Sequence, residues 1–227
     1  SANLVMIAAL KQYFGWQDGD EIIVCVCGFP TTINPIIQNN LKPVFVDIDL
    51  DTLNLNLDQV EEQAKKGAKI ITFAHVLGNP PNMDRLMEIV KQYNLILLED
   101  CCDALGSTYE GKPLGSYGEM ASCSFYPAHH MTMGEGGAVF MNNPELKVIA
   151  ESFRDWGRDC YCAPGCDNTC GCRFEQKHGD LPFGYDHKYV YSHSGYNLKI
   201  TDLQAACGLA QLEKLSFFIQ RRRENYT

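Results

Sequence analysis

Apolar residues recur at helical spacing over Leu4, Ile7, Ala8 and Leu10 to Phe14, and the polar run Gln17-Asp18-Gly19-Asp20 ends that period. Glu21–Cys27 is a short, apolar, β-rich stretch, and Thr31–Gln38 reads as a helix after Pro30. The alternation then repeats. Pro43–Asp47, Lys69–His75 and Leu95–Leu98 read as strands, with helices over Leu57–Lys66 and Met83–Tyr93. Leu95–Leu98 lacks polar interruptions, as expected of a parallel strand covered on both faces. Gly111, Pro113 and Gly115 mark Gly106–Gly118 as a loop or hairpin. Strands follow at Met120–Tyr126 and Ala138–Phe140, then a helix over Pro144–Arg154 with proline in its first turn. Thr201–Arg223 is the longest predicted helix, and its basic last turn suits the helix dipole. The pattern predicts an α/β fold, a mostly parallel central sheet with helices on both faces.

Such a sheet binds ligands beyond the carboxyl ends of its strands. The strand Leu95–Leu98 delivers Glu99-Asp100 to that edge, and Met120–Tyr126 delivers Ser124. After Ser124 the chain reads Phe-Tyr-Pro-Ala-His-His-Met-Thr-Met-Gly-Glu-Gly-Gly, with His129 five residues beyond the serine. An imidazole carries or accepts a proton near neutral pH. Read without further context, His129 is an ordinary loop histidine, Asp100 a strand-end cap and Phe29 a core residue.

Composition narrows the partners. A net charge of −9 over 227 residues argues against nucleic acid and anionic membrane surfaces. No apolar run approaches the roughly 18 residues of a membrane span, and no signal peptide is visible, which points to a cytoplasmic protein. The eleven cysteines are an odd set, too sparse for a disulfide scaffold. Five of them, Cys160, Cys162, Cys166, Cys170 and Cys172, fall within thirteen residues, and this local clustering favours metal. They lie in the stretch Trp156–Lys199, which is too long for a simple connection and needs a function or an internal staple.

The segment Ser124–Gly137 resembles the cofactor-anchoring loop of the DegT/StrS-type sugar aminotransferases, pyridoxal phosphate enzymes of fold type I. The resemblance covers nearly all of the chain, including Glu-Asp-Cys-Cys-Asp-Ala-Leu-Gly and Gly-Tyr-Asn-Leu-Lys-Ile-Thr-Asp. It implies a large cofactor-binding domain over 1–227, with a cysteine-bearing insertion at 157–199. It also implies that an N-terminal segment and a smaller C-terminal domain lie outside this sequence. By resemblance, Asp100 binds the pyridine nitrogen, Ser124 and the Ser1-Ala2 segment hold the phosphate, and Phe29 stacks on the ring. Asn197 reaches the phosphate of a neighbouring subunit, so a homodimer is expected. The position of the lysine that forms the Schiff base is occupied by His129, and Lys112 is the only lysine between Cys102 and Leu146. Nothing then tethers the cofactor covalently, which favours pyridoxamine 5′-phosphate.

The cysteine spacing carries the resemblance further. Cys102 precedes Cys160 by 57 intervening residues, followed by Cys160-Tyr161-Cys162, seven residues and Cys170. This is similar to the ligand spacing of the iron–sulfur CDP-4-keto-6-deoxy-D-glucose 3-dehydrases of the same superfamily, which implies a [2Fe–2S] cluster on Cys102, Cys160, Cys162 and Cys170. The implied activity is deoxygenation at C3 of a CDP-linked 4-keto-6-deoxyhexose, with His129 as the base. Electrons would come from a separate NAD(P)H-dependent flavin/iron–sulfur reductase, in 3,6-dideoxysugar (O-antigen) biosynthesis. Two other readings stay open. One is a cluster-free pyridoxamine dehydratase for GDP-linked sugars with structural zinc on the cysteines. The other is a lysine-less, non-catalytic binding subunit. His130 stays a rival base, and Cys166 and Cys172 have no assigned role.

Overall fold

A computed structural model describes residues 1–160, 162 and 165–226. Six strands form one sheet in the order β2-β1-β3-β4-β7-β8: β1 (Glu21–Cys25), β2 (Lys42–Val46), β3 (Ile70–Ala74), β4 (Ile96–Asp100), β7 (Met120–Ser124) and β8 (Gly137–Met141). All neighbours pair parallel except β8, which runs antiparallel to β7. The Gly106–Gly118 region folds into the small hairpin β5 (Thr108–Tyr109) and β6 (Lys112–Pro113), turned by Glu110 and Gly111, both at positive φ.

Strand alternation builds the two faces. Ile22, Val24, Ile70 and Leu98 pack with α1 (Ala2–Phe14), α2 (Pro30–Gln38) and α5 (Pro144–Arg154). Their sequence neighbours Ile23, Cys25, Ile71 and Leu97 pack with α3 (Leu57–Lys65) and α4 (Met83–Tyr93) on the other side. This period of two also separates the strand-end carboxylates: Asp100 shares the face of Leu98, and Glu99 the face of Leu97. β4 therefore runs through both acids rather than ending at Leu98, because each is buried and partnered.

Glu99 is fully buried. It meets His75 Nε2 at 3.0 Å and accepts amide hydrogens from Gly115 (2.8 Å), Tyr117 (2.7 Å) and Gly118 (2.8 Å). Burial pushes its pKa up, but the His75 contact and the amides of Gly118 and Gly115 outweigh it, leaving the carboxyl below its ordinary value. Because the folded pKa is depressed, its stabilising contribution is complete above the usual carboxylate range. It is lost as pH falls through the lowered value. Glu99→Gln presents an amide NH₂ to backbone donors and is expected to cost about 2–4 kcal/mol near neutral pH. Denaturant titrations at several pH values check this: the gap between parent and variant should narrow on acidification.

The long C-terminal helix is divided. α6 (Asp202–Leu212) and α7 (Leu215–Tyr226) are separated at Glu213-Lys214, where Lys214 N bonds back to Gln211 O and tightens the turn. The insertion is closed at its base. Trp156 N donates to Tyr196 O, Asp159 N to Val190 O and Ser192 N to Gly157 O. Gly157 and Gly195 cross so closely that a Cβ on Gly157 would lie 1.8 Å from His193 O. No described helix is long and apolar enough to cross a membrane.

Candidate active site

Asp100 ends β4 at 3% exposure. Its Oδ2 accepts from Asn3 Nδ2 (2.7 Å) and Thr32 Oγ1 (3.0 Å), and its Oδ1 from Cys102 N (3.1 Å). Asn3 stands in the first turn of α1 and also donates to Thr31 O at 3.1 Å, so one side chain ties α1, α2 and β4 together. A carboxylate has about four lone-pair sites, and three are used, which leaves acceptor capacity on Oδ1. Asn3 Oδ1 is buried without a hydrogen-bond partner beside it.

The N-terminus of α1 lies against the end of β7–β8. Ser124 pairs with Gly137, and a Cβ on Gly137 would come within 2.9 Å of Cys123 O and 3.5 Å of Ala2 Cβ. Glycine there lets the first helical turn approach Ser124. The Ser1 side chain makes no cap hydrogen bond, so the first amides of α1 keep the donor capacity that a helix start offers an anion. Ser124 Oγ accepts from Tyr126 N at 3.2 Å. Phe29, the residue capping α2, is 72% exposed and stacks on no other ring among the described residues.

His129 Nδ1 lies 3.1 Å from Asp103 Oδ1, and its ring stands edge-on to Tyr126 with centroids 6.2 Å apart. With Asp103 accepting from Nδ1–H, the lone pair is left on Nε2, the tautomer a proton acceptor needs. Arg222 of α7 donates to the carbonyls of both His129 and His130 at 3.2 Å, fixing the loop from the C-terminal side. The His130 pKa is lowered, first by burial and then by the charge of Arg222, and its Nδ1 is buried without a partner. Asn197 lies at the root of the insertion, bridged to Asp155, with Lys199 Nζ 3.3 Å from its Oδ1.

The cysteines divide into two places. In the insertion, Cys160 and Cys162 gather with His187, and Cys170 and Cys172 gather with the same histidine, each trio having its donor atoms within 4.8 Å of one another. The Cys162 thiol is drawn down to about 7, mainly by hydrogen bonding from Thr169 and the Cys170 amide. Cys102 belongs to neither trio among the described residues. Its thiol is raised by burial and then by the charge of Asp100. Asp100 and Cys102 sit at the Asn3 end of α1, whereas Cys160 and Cys162 line a cleft that includes Gln12 and Tyr13. Among the described residues these close groups bring in Cys172 and His187, which the spacing did not assign.

Reasoning from sequence did not single out Asn3, Thr32, Asp103, Arg222 or His187. Asp103, three residues beyond Asp100, and His187, a histidine inside the cysteine-rich insertion, carried a local signal. Asn3, Thr32 and Arg222 become visible only through packing.

The DegT/DnrJ/EryC1/StrS aminotransferase family matches residues 1–227, and the chain belongs to it. Its fold is that of fold type I pyridoxal phosphate-dependent aminotransferases, a mixed and mostly parallel sheet between helices. The chain is 58% identical over its whole length to the lipopolysaccharide biosynthesis protein RfbH of Salmonella typhimurium, covering 53% of that protein. It is 52% identical to the dTDP-4-dehydro-2,6-dideoxy-D-glucose 3-dehydratase of Saccharopolyspora spinosa, covering all of this chain and 50% of that one. The Escherichia coli GDP-4-keto-6-deoxy-D-mannose-3-dehydratase with bound hydrated PLP superimposes with a TM-score of 0.84 at 33% identity, covering 99% of this chain and 56% of that one. The chain thus spans about half the length of the curated relatives it matches.

Proposed function

We propose that the complete protein is a pyridoxamine 5′-phosphate-dependent sugar-nucleotide 3-dehydratase acting on a CDP-linked 4-keto-6-deoxyhexose. The observation that carries this reading is the Asp103–His129 pair at the position where relatives of aminotransferase type have lysine. The residues present fit the cofactor: a buried carboxylate with acceptor capacity, the unpartnered Asn3 Oδ1, and a helix start beside Ser124. When bound, the cofactor supplies an amine for the C4 ketone and a ring that accepts negative charge. Asp100 would hold the ring nitrogen protonated, and Asn3, Thr32 and the Cys102 amide fix its carboxylate. Ser124, Ser1 and Ala2 would hold the phosphate, and Phe29 would cover the ring face. His129 Nε2 takes a proton from the C4′ carbon, and Asp103 steadies the imidazolium that results. Asn197 completes the phosphate site of a second subunit in a homodimer, and the product feeds 3,6-dideoxysugar (O-antigen) assembly.

The names of the relatives, one a dTDP-sugar and one a GDP-sugar 3-dehydratase, support the reaction class. The full-length protein should turn over the CDP-linked 4-keto sugar in preference to the GDP-linked one when supplied with a flavin/iron–sulfur reductase and NAD(P)H. Equal or exclusive use of the GDP substrate overturns the nucleotide assignment, and no turnover of either favours a binding subunit.

The metal has two readings. Spacing supports a [2Fe–2S] cluster on Cys102, Cys160, Cys162 and Cys170. The two trios around His187 instead support a local thiolate site made by Cys160, Cys162, Cys170 and Cys172. Iron, zinc and acid-labile sulfide contents of Cys102→Ser and Cys172→Ser proteins decide between them. Loss of iron and sulfide in Cys102→Ser alone selects the cluster. Loss of metal in Cys172→Ser alone selects the local site.

A further inference from the structure

His187 is 3% exposed in the middle of a solvent-rich insertion, which is an unusual place for a buried imidazole. Its position is fixed from several directions. Asp186 Oδ1 accepts from Lys188 N and starts the short turn His187–Tyr189. The Arg173 guanidinium clamps Asp186 in two hydrogen bonds of 2.9 and 2.7 Å, and His187 N reaches Arg173 O at 3.3 Å. Asp167 braces the same corner through Lys188 Nζ at 2.6 Å. None of these contacts uses the imidazole ring, so they hold its backbone and leave the ring nitrogens to other partners.

The hydrogen-bond pattern determines what the ring offers. Gln176 Nε2 lies 3.2 Å from Cys172 O, an acceptor only, so the amide must present its NH₂ on that side. The same nitrogen is 3.1 Å from Cys172 Sγ and 2.8 Å from His187 Nδ1. Nδ1 is therefore the acceptor, and in the neutral ring the proton sits on Nε2, which lies 3.7 Å from Cys170 Sγ. An N–H so directed stabilises negative charge on sulfur. We propose that His187 is a positioning residue of the thiolate metal centre, donating its Nε2–H to Cys170 Sγ in a tautomer locked by Gln176, and is not itself a metal ligand.

This rests on the reading that the insertion binds metal, and it holds for either ligand set above because both include Cys170. Hydrogen bonds to metal-bound sulfur tune the electronics of the centre, and loss of such an outer partner commonly weakens metal binding about 10–100-fold. The test uses Co²⁺ as a probe, added anaerobically to the metal-free full-length protein. The parent should develop the sulfur-to-cobalt charge-transfer band and the visible bands of an all-thiolate tetrahedral site. His187→Phe should bind Co²⁺ about 10–100-fold more weakly, with the charge-transfer band moved to lower energy, because the sulfur lone pair has lost its donor. His187→Gln keeps an N–H donor and should recover affinity and band position, which a purely structural role for the ring would not produce. Parent-like binding by His187→Phe overturns the proposal. So does a nitrogen-ligand signature in the parent that disappears in His187→Phe, since it makes His187 a ligand. Failure of the parent itself to bind Co²⁺ overturns the metal reading, and the proposal with it.

Discussion

Replacing His129 with asparagine lowers proton exchange at the cofactor C4′ carbon by about 10²–10⁴-fold, the usual scale for removing a general base, while the cofactor stays bound. The distinction follows from geometry. The residues assigned to the ring and phosphate are Asp100, Ser124 and the start of α1, whereas His129 stands on the following loop, oriented by Asp103. Asp103→Asn should give a smaller loss, because the amide can still accept from Nδ1 but no longer stabilises the charged imidazolium. His130→Asn should leave exchange near the parent level. His129→Lys, by restoring an amine at this position, should bind pyridoxal phosphate covalently and suppress deoxygenation. Tritium washout from C4′, cofactor titration and borohydride trapping measure these outcomes. Full-rate exchange in His129→Asn would transfer the base role to another residue, and a His130→Asn loss would name it.

Asp100→Ala removes binding and chemistry together. The carboxylate offers the ring nitrogen a charge-assisted hydrogen bond, worth about 1.5–3 kcal/mol, so the cofactor Kd should rise about 10–100-fold. The same change leaves Asn3 Nδ2 and Thr32 Oγ1 without their acceptor in a buried site, and α1 and α2 lose the group that joins them to β4. Asp100→Asn separates the effects. It fills the same space, so much of the binding and stability should remain, but a neutral amide does not hold the pyridine nitrogen protonated, and C4′ exchange should fall as far as in Asp100→Ala. Cofactor titration by absorbance, alongside thermal unfolding without cofactor, distinguishes the contributions. Unchanged cofactor affinity in Asp100→Ala would remove this residue from the ring site.

Much of this molecule was legible in the order of its residues. The alternation of β-rich and helical stretches defined the sheet, because parallel strands need crossover helices and covered faces. The Glu99-Asp100 step was readable as the end of a strand, and period-two geometry is enough to turn its two carboxylates to opposite faces. Ser124 and His129 were likewise visible from spacing along one loop. What the sequence did not contain was distance between segments far apart in the chain. Asn3 and Asp100 are 97 positions apart and meet at 2.7 Å only because α1 lies across the ends of β4 and β7. Arg222 reaches the His129 carbonyl from 93 positions away for the same reason, a helix packed over the loop. The break at Glu213-Lys214 carries no glycine or proline and was invisible to pattern reading. The cysteines show the limit most directly. Spacing groups Cys102 with Cys160, Cys162 and Cys170. The tertiary structure also collects Cys172 and His187, whose positions are set by ion pairs and buried hydrogen bonds that no one-dimensional interval encodes.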